Sequence, residues 1–240
     1  MSQAIIRPAG VKDAEGIAYV HVTAWQETYR GLMPDSVLDN LSVERRTREW
    51  RATLQDEANI YHTTVVAEED AQIIGFANYG KAREGDLQFR GELFAIYVLK
   101  RFQGQGIGRG LIRAAANELL ALDVSSMLVW VLSDNPYQKF YQRLGGVYVR
   151  EKPIQFGDVR LLEKAYGWAD IHPLAEQRPV DGSGTGEVPS YGFLWLPQNR
   201  NSIRQSSPTP ALLICLANHT CARGKCAPHS PSHSASLRGL

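Results

Sequence analysis

The sequence has few cysteines, no long apolar run and almost no net charge, and each of these absences excludes a class of protein. Only three of the 240 residues are cysteine, and all three lie after residue 174. A disulfide framework would need more cysteines at shorter range. No apolar run approaches the length that spans a bilayer, and the N-terminus lacks the basic and apolar regions of a signal peptide. We therefore expect a cytoplasmic protein with no membrane partner.

The charge and composition are those of an ordinary globular protein. A net charge of +1 gives no strong electrostatic attraction to nucleic acid, so we predict no nucleic-acid partner. Hydrophobic residues make up 44% of the 240 positions and charged residues 21%. A chain of this length and composition can fill one core and still leave an appendage.

The appendage is predicted to be a C-terminal tail. Residues 175–240 contain seven of the 12 prolines, a Gly/Ser-rich stretch at 181–186 and a low-complexity end. Such composition is typical of disordered segments, so we predict a folded domain over residues 1–174 and a disordered tail over 175–240. The tail also holds five metal-ligand residue types, Cys215, His219, Cys221, Cys226 and His229. Their spacing is looser than that of zinc sites, and we predict no metal.

A glycine-rich turn between a strand and a helix is the most informative motif. Residues 103–108 read Gln-Gly-Gln-Gly-Ile-Gly, after the apolar run 93–98 and before the helix-patterned segment 111–120. Glycines let the backbone approach a ligand and adopt positive φ. The free N–H groups and the dipole of a helix N-terminus favour an anion. The turn is therefore a candidate phosphate-binding loop.

Two common phosphate-binding loops are excluded by spacing. A P-loop needs Lys followed by Ser or Thr after its last glycine, but Arg109 and Gly110 follow Gly108. A dinucleotide-binding turn needs a third glycine or alanine at a fixed spacing, where this chain has Arg109 or Leu111.

The remaining pattern, Gln-x-x-Gly-x-Gly, resembles the pyrophosphate loop of the GNAT family of N-acetyltransferases. The resemblance covers roughly residues 4–174, and the chain is similar to uncharacterised bacterial members. It implies acetyl-coenzyme A as co-substrate, with its diphosphate on Gln103, Gly104, Gln105, Gly106, Ile107, Gly108 and Arg109. It also implies that the pantetheine arm pairs with the strand residues Ile96, Tyr97 and Val98 and that Asn135 contacts the cofactor.

The order of predicted elements agrees with that resemblance. Hydrophobic periodicity predicts helices at about 12–30, 35–41, 43–54, 108–121 and 137–144, and strands at 63–67, 73–79, 93–98, 127–131, 147–149 and 159–165. This order predicts an α/β fold with a mixed, mostly antiparallel central sheet flanked by helices. In the GNAT family two central strands splay apart around the cofactor, and here they would be 93–98 and 127–131.

Three residues are candidates for the chemistry itself. The resemblance implies that Tyr141 protonates the leaving thiolate, although a core aromatic is the structural alternative. Glu92, at the start of a central strand, is a candidate base that acts directly or through water, and a solvated glutamate is the alternative. Tyr29, near the end of the first helix, is a candidate substrate contact, whereas Trp25 is expected to fill the core.

These residues predict an acetyl-CoA-dependent N-acetyltransferase. No cysteine lies in residues 1–174 to carry an acyl intermediate, so we expect a primary amine to attack directly in a ternary complex. The alternatives are a non-catalytic acyl-CoA sensor and an interaction protein that works through its tail. The acceptor is a small-molecule or peptide amine that the sequence does not identify, and a homodimer remains open.

Overall fold

The structure, a computed structural model, describes residues 4–56, 62–83, 88–156 and 159–176. Within these ranges the strands are β1 (Ile5–Pro8), β2 (His62–Glu69), β3 (Gln72–Lys81), β4 (Gly91–Val98), β5 (Met127–Leu132), β6 (Val147–Phe156) and β7 (Val159–Trp168). The helices are α1 (Ala14–Tyr29), α2 (Asp35–Asp39), α3 (Val43–Gln55), α4 (Ile107–Ala121), α5 (Gln138–Arg143) and α6 (His172–Glu176).

The predicted fold class is confirmed, with two elements that the sequence did not reveal. Strand β1 has four residues and helix α6 has five, and elements this short show no measurable period. Helix α6 extends two residues past the domain boundary predicted at 174. The predicted tail beyond Glu176, with its Cys and His residues, lies outside the described residues.

The seven strands form one sheet in the order β1-β2-β3-β4-β5-β7-β6. All neighbouring strands are antiparallel except β4 and β5, which run parallel. They are parallel because the connecting helix α4 returns the chain to the end of the sheet at which β4 begins. One face packs on α4 through the apolar stripe Leu111, Ile112, Ala115 and Leu119. The opposite face packs on α1 and α3.

A bulge in β4 opens the middle of the sheet. Asn78 lies opposite Ala95 and Tyr79 lies opposite Leu93, so Phe94 is the extra residue of the bulge. The parallel pairing of β4 with β5 covers only three rungs and ends at Leu93 and Val129. Beyond that rung the two strands separate, as the family resemblance predicted.

A buried histidine lies between α1, α3 and the sheet. His21 is 1% exposed, and its Nδ1 accepts a hydrogen bond of 3.3 Å from Nε1 of Trp50. Its ring stacks on Tyr97, with the ring centroids 5.3 Å apart. Burial holds the pKa of His21 well below its ordinary value, and the nearby cation Arg46 adds to this effect. The neutral imidazole is therefore the form that the core accommodates.

We expect the stability of the protein to fall as the pH drops below about 6.5, the ordinary pKa of histidine. Below that pH, His21 binds a proton in the unfolded chain but not in the folded protein. The free energy of unfolding therefore falls by about 1.4 kcal/mol per pH unit until the pH reaches the lower pKa of folded His21. Urea unfolding between pH 7.5 and 5.5 measures this slope. That range lies above the titration of Asp13, whose pKa is held below its usual value by the hydrogen bond from Arg7.

His21→Gln is the matched variant, because its amide oxygen can still accept from Trp50 but does not titrate. It should cost stability at pH 7.5 and flatten the slope between pH 6.5 and 5.5. An unchanged slope in this variant would assign the pH dependence to another group.

Candidate active site

A cleft of about 1160 Å³ opens where β4 and β5 separate. Its walls are the end of β4, the glycine-rich turn at residues 103–108 (the glycine loop) with the start of α4, the end of β5 and helix α5. All of the predicted cofactor residues line this cleft, as do Tyr29 and Tyr141. Glu92 does not. Residues that are distant in sequence thus converge on one concavity, the geometry of a small-molecule site.

The glycine loop presents backbone N–H groups to the cleft. Gly104 and Gly106 have φ of 77° and 84°, a conformation that other residues rarely adopt. Gly106 is the N-cap of α4 and provides no side-chain cap, and the first bond within the helix runs from Gly110 N to Gly106 O at 3.0 Å. The N–H groups of residues 107–109 therefore have no intrahelical acceptor, which fits a bound diphosphate.

The separated edge of β4 provides main-chain groups for an extended ligand. The N–H of Leu99, just after β4, donates a hydrogen bond of 3.0 Å to the Ile74 carbonyl on β3. Along an antiparallel ladder, residues that bond to the neighbouring strand alternate with residues whose peptide groups point away from it. Leu99 bonds to β3, and Val98 and Ile96 lie one and three residues before it. Their peptide groups therefore point away from β3 and toward the gap. An extended ligand can pair with this edge as an added strand would.

The side chain of Gln103 braces the loop against the rest of the cleft. Its Nε2 donates to the Val98 carbonyl at 2.9 Å, and its Oε1 accepts from the Tyr137 hydroxyl at 3.0 Å. The side-chain amide of Gln103 is therefore already hydrogen-bonded, and its backbone is more readily available to a ligand. Arg109, the arginine predicted near the diphosphate, lines the cleft, whereas the guanidinium carbon of Arg101 lies over the ring of Phe102, 4.8 Å from its centroid.

Tyr141 lies at the border between the cleft and the core. It is 7% exposed, and its ring contacts Phe140 and Tyr166 at centroid distances of 5.3 and 6.3 Å. The packing holds its ring in one place while the residue still lines the cleft. Both the core role and the cleft role considered for Tyr141 are thus compatible with its position.

Asn135 and Tyr29 contact each other across the end of the cleft. The Asn135 Nδ2 donates to the Tyr29 hydroxyl at 3.3 Å, and its Oδ1 accepts from the Tyr137 N–H at 2.8 Å. The predicted cofactor contact and the predicted substrate contact are therefore hydrogen-bonded neighbours. Trp25 is buried, as expected, and donates from Nε1 to the Tyr97 hydroxyl at 2.9 Å.

Glu92, the predicted base, is the one predicted site residue that does not line the cleft. It is 2% exposed and lies outside the cleft lining. Its carboxylate accepts hydrogen bonds from the backbone N–H and the guanidinium of Arg83, at 3.1 Å from the N–H and 3.0 Å from Nε. The sequence placed Glu92 at the start of the correct strand, but the strand directs its side chain to an ion pair with Arg83.

Glu163 is a cleft carboxylate that the sequence analysis missed. It lies on β7 opposite Leu132 of β5, is 5% exposed and lines the cleft. The only other acid in the described lining is Glu69, at the end of β2. The sequence did contain a signal for this residue. Glu163 lies between Leu161 and Ala165 on one face of β7, and a single acid in an apolar row is unusual.

The sequence profile of the Acetyltransferase (GNAT) family matches residues 12–146. The chain belongs to this family. The uncharacterised N-acetyltransferase YuaI of Bacillus subtilis (strain 168) is 35% identical over 169 residues, which cover 70% of this chain and 95% of YuaI. The predicted family, enzyme class and co-substrate are confirmed: the GNAT protein is an N-acetyltransferase that depends on acetyl-CoA.

Solved GNAT structures share the fold at lower identity. An N-acetyltransferase from Staphylococcus aureus Mu50 superimposes with a TM-score of 0.56 and 22% identity, covering 71% of this chain and 99% of that one. The acetyltransferase yncA of Salmonella typhimurium, solved with its cofactor acetyl-CoA, gives 0.51 and 21%, with coverage of 70% and 94%. Within the described ranges of our chain, no helix is long and apolar enough to cross a membrane.

Proposed function

We propose that this GNAT enzyme moves the acetyl group of acetyl-CoA to a primary amine by direct attack in a ternary complex, and that residues 1–174 are its catalytic domain. The observation that supports this proposal is the convergence of three features on one cleft. The N–H groups of α4, the separated edge of β4 and Tyr141 all line it. Residues 1–174 contain no cysteine that could hold the acyl group, which favours direct attack over an acyl-cysteine route.

The main chain holds the co-substrate in this proposal. The N–H groups at the start of α4 bind the diphosphate, and the peptide groups of Ile96 and Val98 pair with the pantetheine arm. Arg109, exposed at the cleft, adds a cation near the phosphates. Bound acetyl-CoA supplies an acetyl group as a thioester, whose C–S bond breaks as the C–N bond to the amine forms.

Two side chains move the protons. Glu163 takes one proton from the incoming ammonium, so that the nitrogen has a free lone pair for attack. The Tyr141 hydroxyl gives its proton to the departing sulfur and regains one from the new amide nitrogen. Glu163 then releases its proton to water, and the sum is one ammonium and one thioester converted to one amide, one thiol and one proton.

Replacing Tyr141 with Phe is expected to lower kcat roughly 100-fold, a typical contribution of positioned proton transfer, with the affinity for acetyl-CoA unchanged. The released thiol reports turnover, and isothermal titration calorimetry reports affinity. Tyr166→Phe is the matched control, because Tyr166 stacks on Tyr141 and lies outside the cleft lining.

The same assay distinguishes an enzyme from a sensor. Thiol release with at least one amine supports the enzyme, and loss of kcat in Tyr141→Phe alone supports the role of its hydroxyl. Binding of acetyl-CoA without turnover of any amine would instead favour the non-catalytic acyl-CoA sensor. Equal activity in wild type and Tyr141→Phe would remove Tyr141 from the mechanism.

A further inference from the structure

Two aromatic side chains line the cleft where β4 and β5 separate. Phe94 and Trp130 each follow the last paired rung of their strand, Leu93 and Val129. Trp130 is only partly buried, and two cations, which are not themselves among the residues that line the cleft, lie over its ring. The guanidinium carbon of Arg150 is 5.4 Å from the ring centroid and the Lys152 Nζ is 4.0 Å from it. Both distances are within the range of cation–π contacts.

Strand register explains why these cations reach the indole. Ala165 of β7 is the partner of Trp130 on one side and of Arg150 on the other. Because Ala165 is small, the Arg150 side chain can extend over it to the ring. Two residues along, Glu163 has Leu132 and Lys152 as its partners. Directly opposed residues share one face of a sheet, so the carboxylate and both cations lie on the same face as Trp130.

This arrangement is selective by charge. One carboxylate and two cations are grouped around one indole, so a ligand that carries one ammonium and one nearby anion is complementary to them. A polyamine or an aminoglycoside would bring several positive charges against Arg150 and Lys152, and these like charges would repel each other.

We propose that the acceptor is a small amino carboxylic acid whose amine and carboxylate are one or two carbons apart. Glu163 holds the ammonium, and Arg150 binds the carboxylate through its planar pair of N–H donors, assisted by Lys152. Trp130 and Leu132 contact the rest of the molecule. This inference rests on the proposed function, because it identifies the class of amine that enters the same cleft.

Matched pairs of compounds test the contribution of the carboxylate alone. L-Leucine is compared with isopentylamine, L-phenylalanine with phenethylamine and L-methionine with 3-(methylthio)propylamine, beside the other standard amino acids, spermidine and kanamycin. The best amino acid should exceed its decarboxylated partner at least 10-fold in kcat/KM, and spermidine and kanamycin should rank below it. Amines that equal or exceed their parent amino acids would overturn the inference and leave the proposed function standing.

Arg150→Gln should reduce the amino acid to amine ratio about 10-fold, and Lys152→Gln should reduce it less. Arg51→Gln removes an exposed cation on α3 and should leave the ratio unchanged. Thermal melting confirms that each variant is folded. A ratio that is the same in wild type, Arg150→Gln and Lys152→Gln would show that these cations do not bind the carboxylate, and would also overturn the inference.

A binding measurement separates failure of this inference from failure of the proposed function. Calorimetric titration of the same amino acids into the enzyme with coenzyme A present needs no turnover. If no compound is acetylated, the proposed function fails, but amino acid binding that Arg150→Gln weakens still supports the site. If no amino acid is either acetylated or bound, the inference fails as well.

Discussion

Glu163→Gln is expected to lower kcat/KM about 100-fold with the best acceptor, which is the lower end of the range for general base catalysis. Glutamine has nearly the same shape as glutamate but cannot take the proton of the ammonium. Because the glutamine cannot accept that proton, the variant depends on amine that has already lost it in water, so its kcat/KM should rise more steeply with pH than that of the wild type. Thiol release measured between pH 5.5 and 9, with calorimetry for acetyl-CoA affinity, checks both expectations.

Glu92→Gln is the informative comparison. Glu92 is buried and accepts hydrogen bonds from Arg83 outside the cleft lining, and a hydrogen bond to a charged group contributes about 1.5–3 kcal/mol. We therefore expect Glu92→Gln to lower the free energy of unfolding but to keep the pH profile of the wild type. The opposite outcome, in which Glu92→Gln has the steeper pH profile and Glu163→Gln keeps that of the wild type, would return the role of base to Glu92.

Gly106→Val is expected to weaken coenzyme A binding about 100-fold. Gly106 has φ of 84°, where a β-branched residue is an outlier that costs on the order of 1–3 kcal/mol. Relief of this strain would rotate the first turn of α4 and misdirect its N–H groups. Loss of even one hydrogen bond to a charged phosphate costs about 1.5–3 kcal/mol, which is roughly 10- to 100-fold in affinity.

Gly145→Val is a closely matched control. Gly145 also has φ of 84°, an added Cβ would meet nothing within 4 Å at either position, and Gly145 lies outside the cleft lining. Both variants should lose similar thermal stability, but only Gly106→Val should lose affinity in calorimetry with coenzyme A. Equal loss of affinity in both variants would indicate general destabilisation and would refute the phosphate-binding role of the loop.

Much of the fold and the cofactor side of the cleft could be predicted because their signals are local. The glycines of the loop, the apolar run before it and the helical stripe after it lie within about 30 consecutive residues. Periodicity located most of the strands and helices, although β6 extends far beyond the predicted 147–149. Its charged residues, including Arg150 and Lys152, interrupt the apolar alternation on which strand prediction depends.

The proposed acceptor side could not be predicted in the same way, because its residues meet through non-local pairing. Strand β7 lies between β5 and β6, so Ala165 is adjacent in space to Trp130, 35 positions away, and to Arg150, 15 positions away. Such pairing brings Trp130 and Arg150 to either side of Ala165. It also places Glu163 in the lining of the cleft and directs the side chain of Glu92 to Arg83.

By itself, the sequence determined that this chain has a glycine-rich turn between a strand and a helix of an α/β fold, since glycine spacing and hydrophobic period act over a few residues. It also carries the resemblance to an acetyl-CoA-dependent family. Only the tertiary structure decided which carboxylate reaches the cleft and which cations surround Trp130. The reason is that a one-residue bulge at Phe94 and the register of β5, β7 and β6 set the face on which each side chain lies.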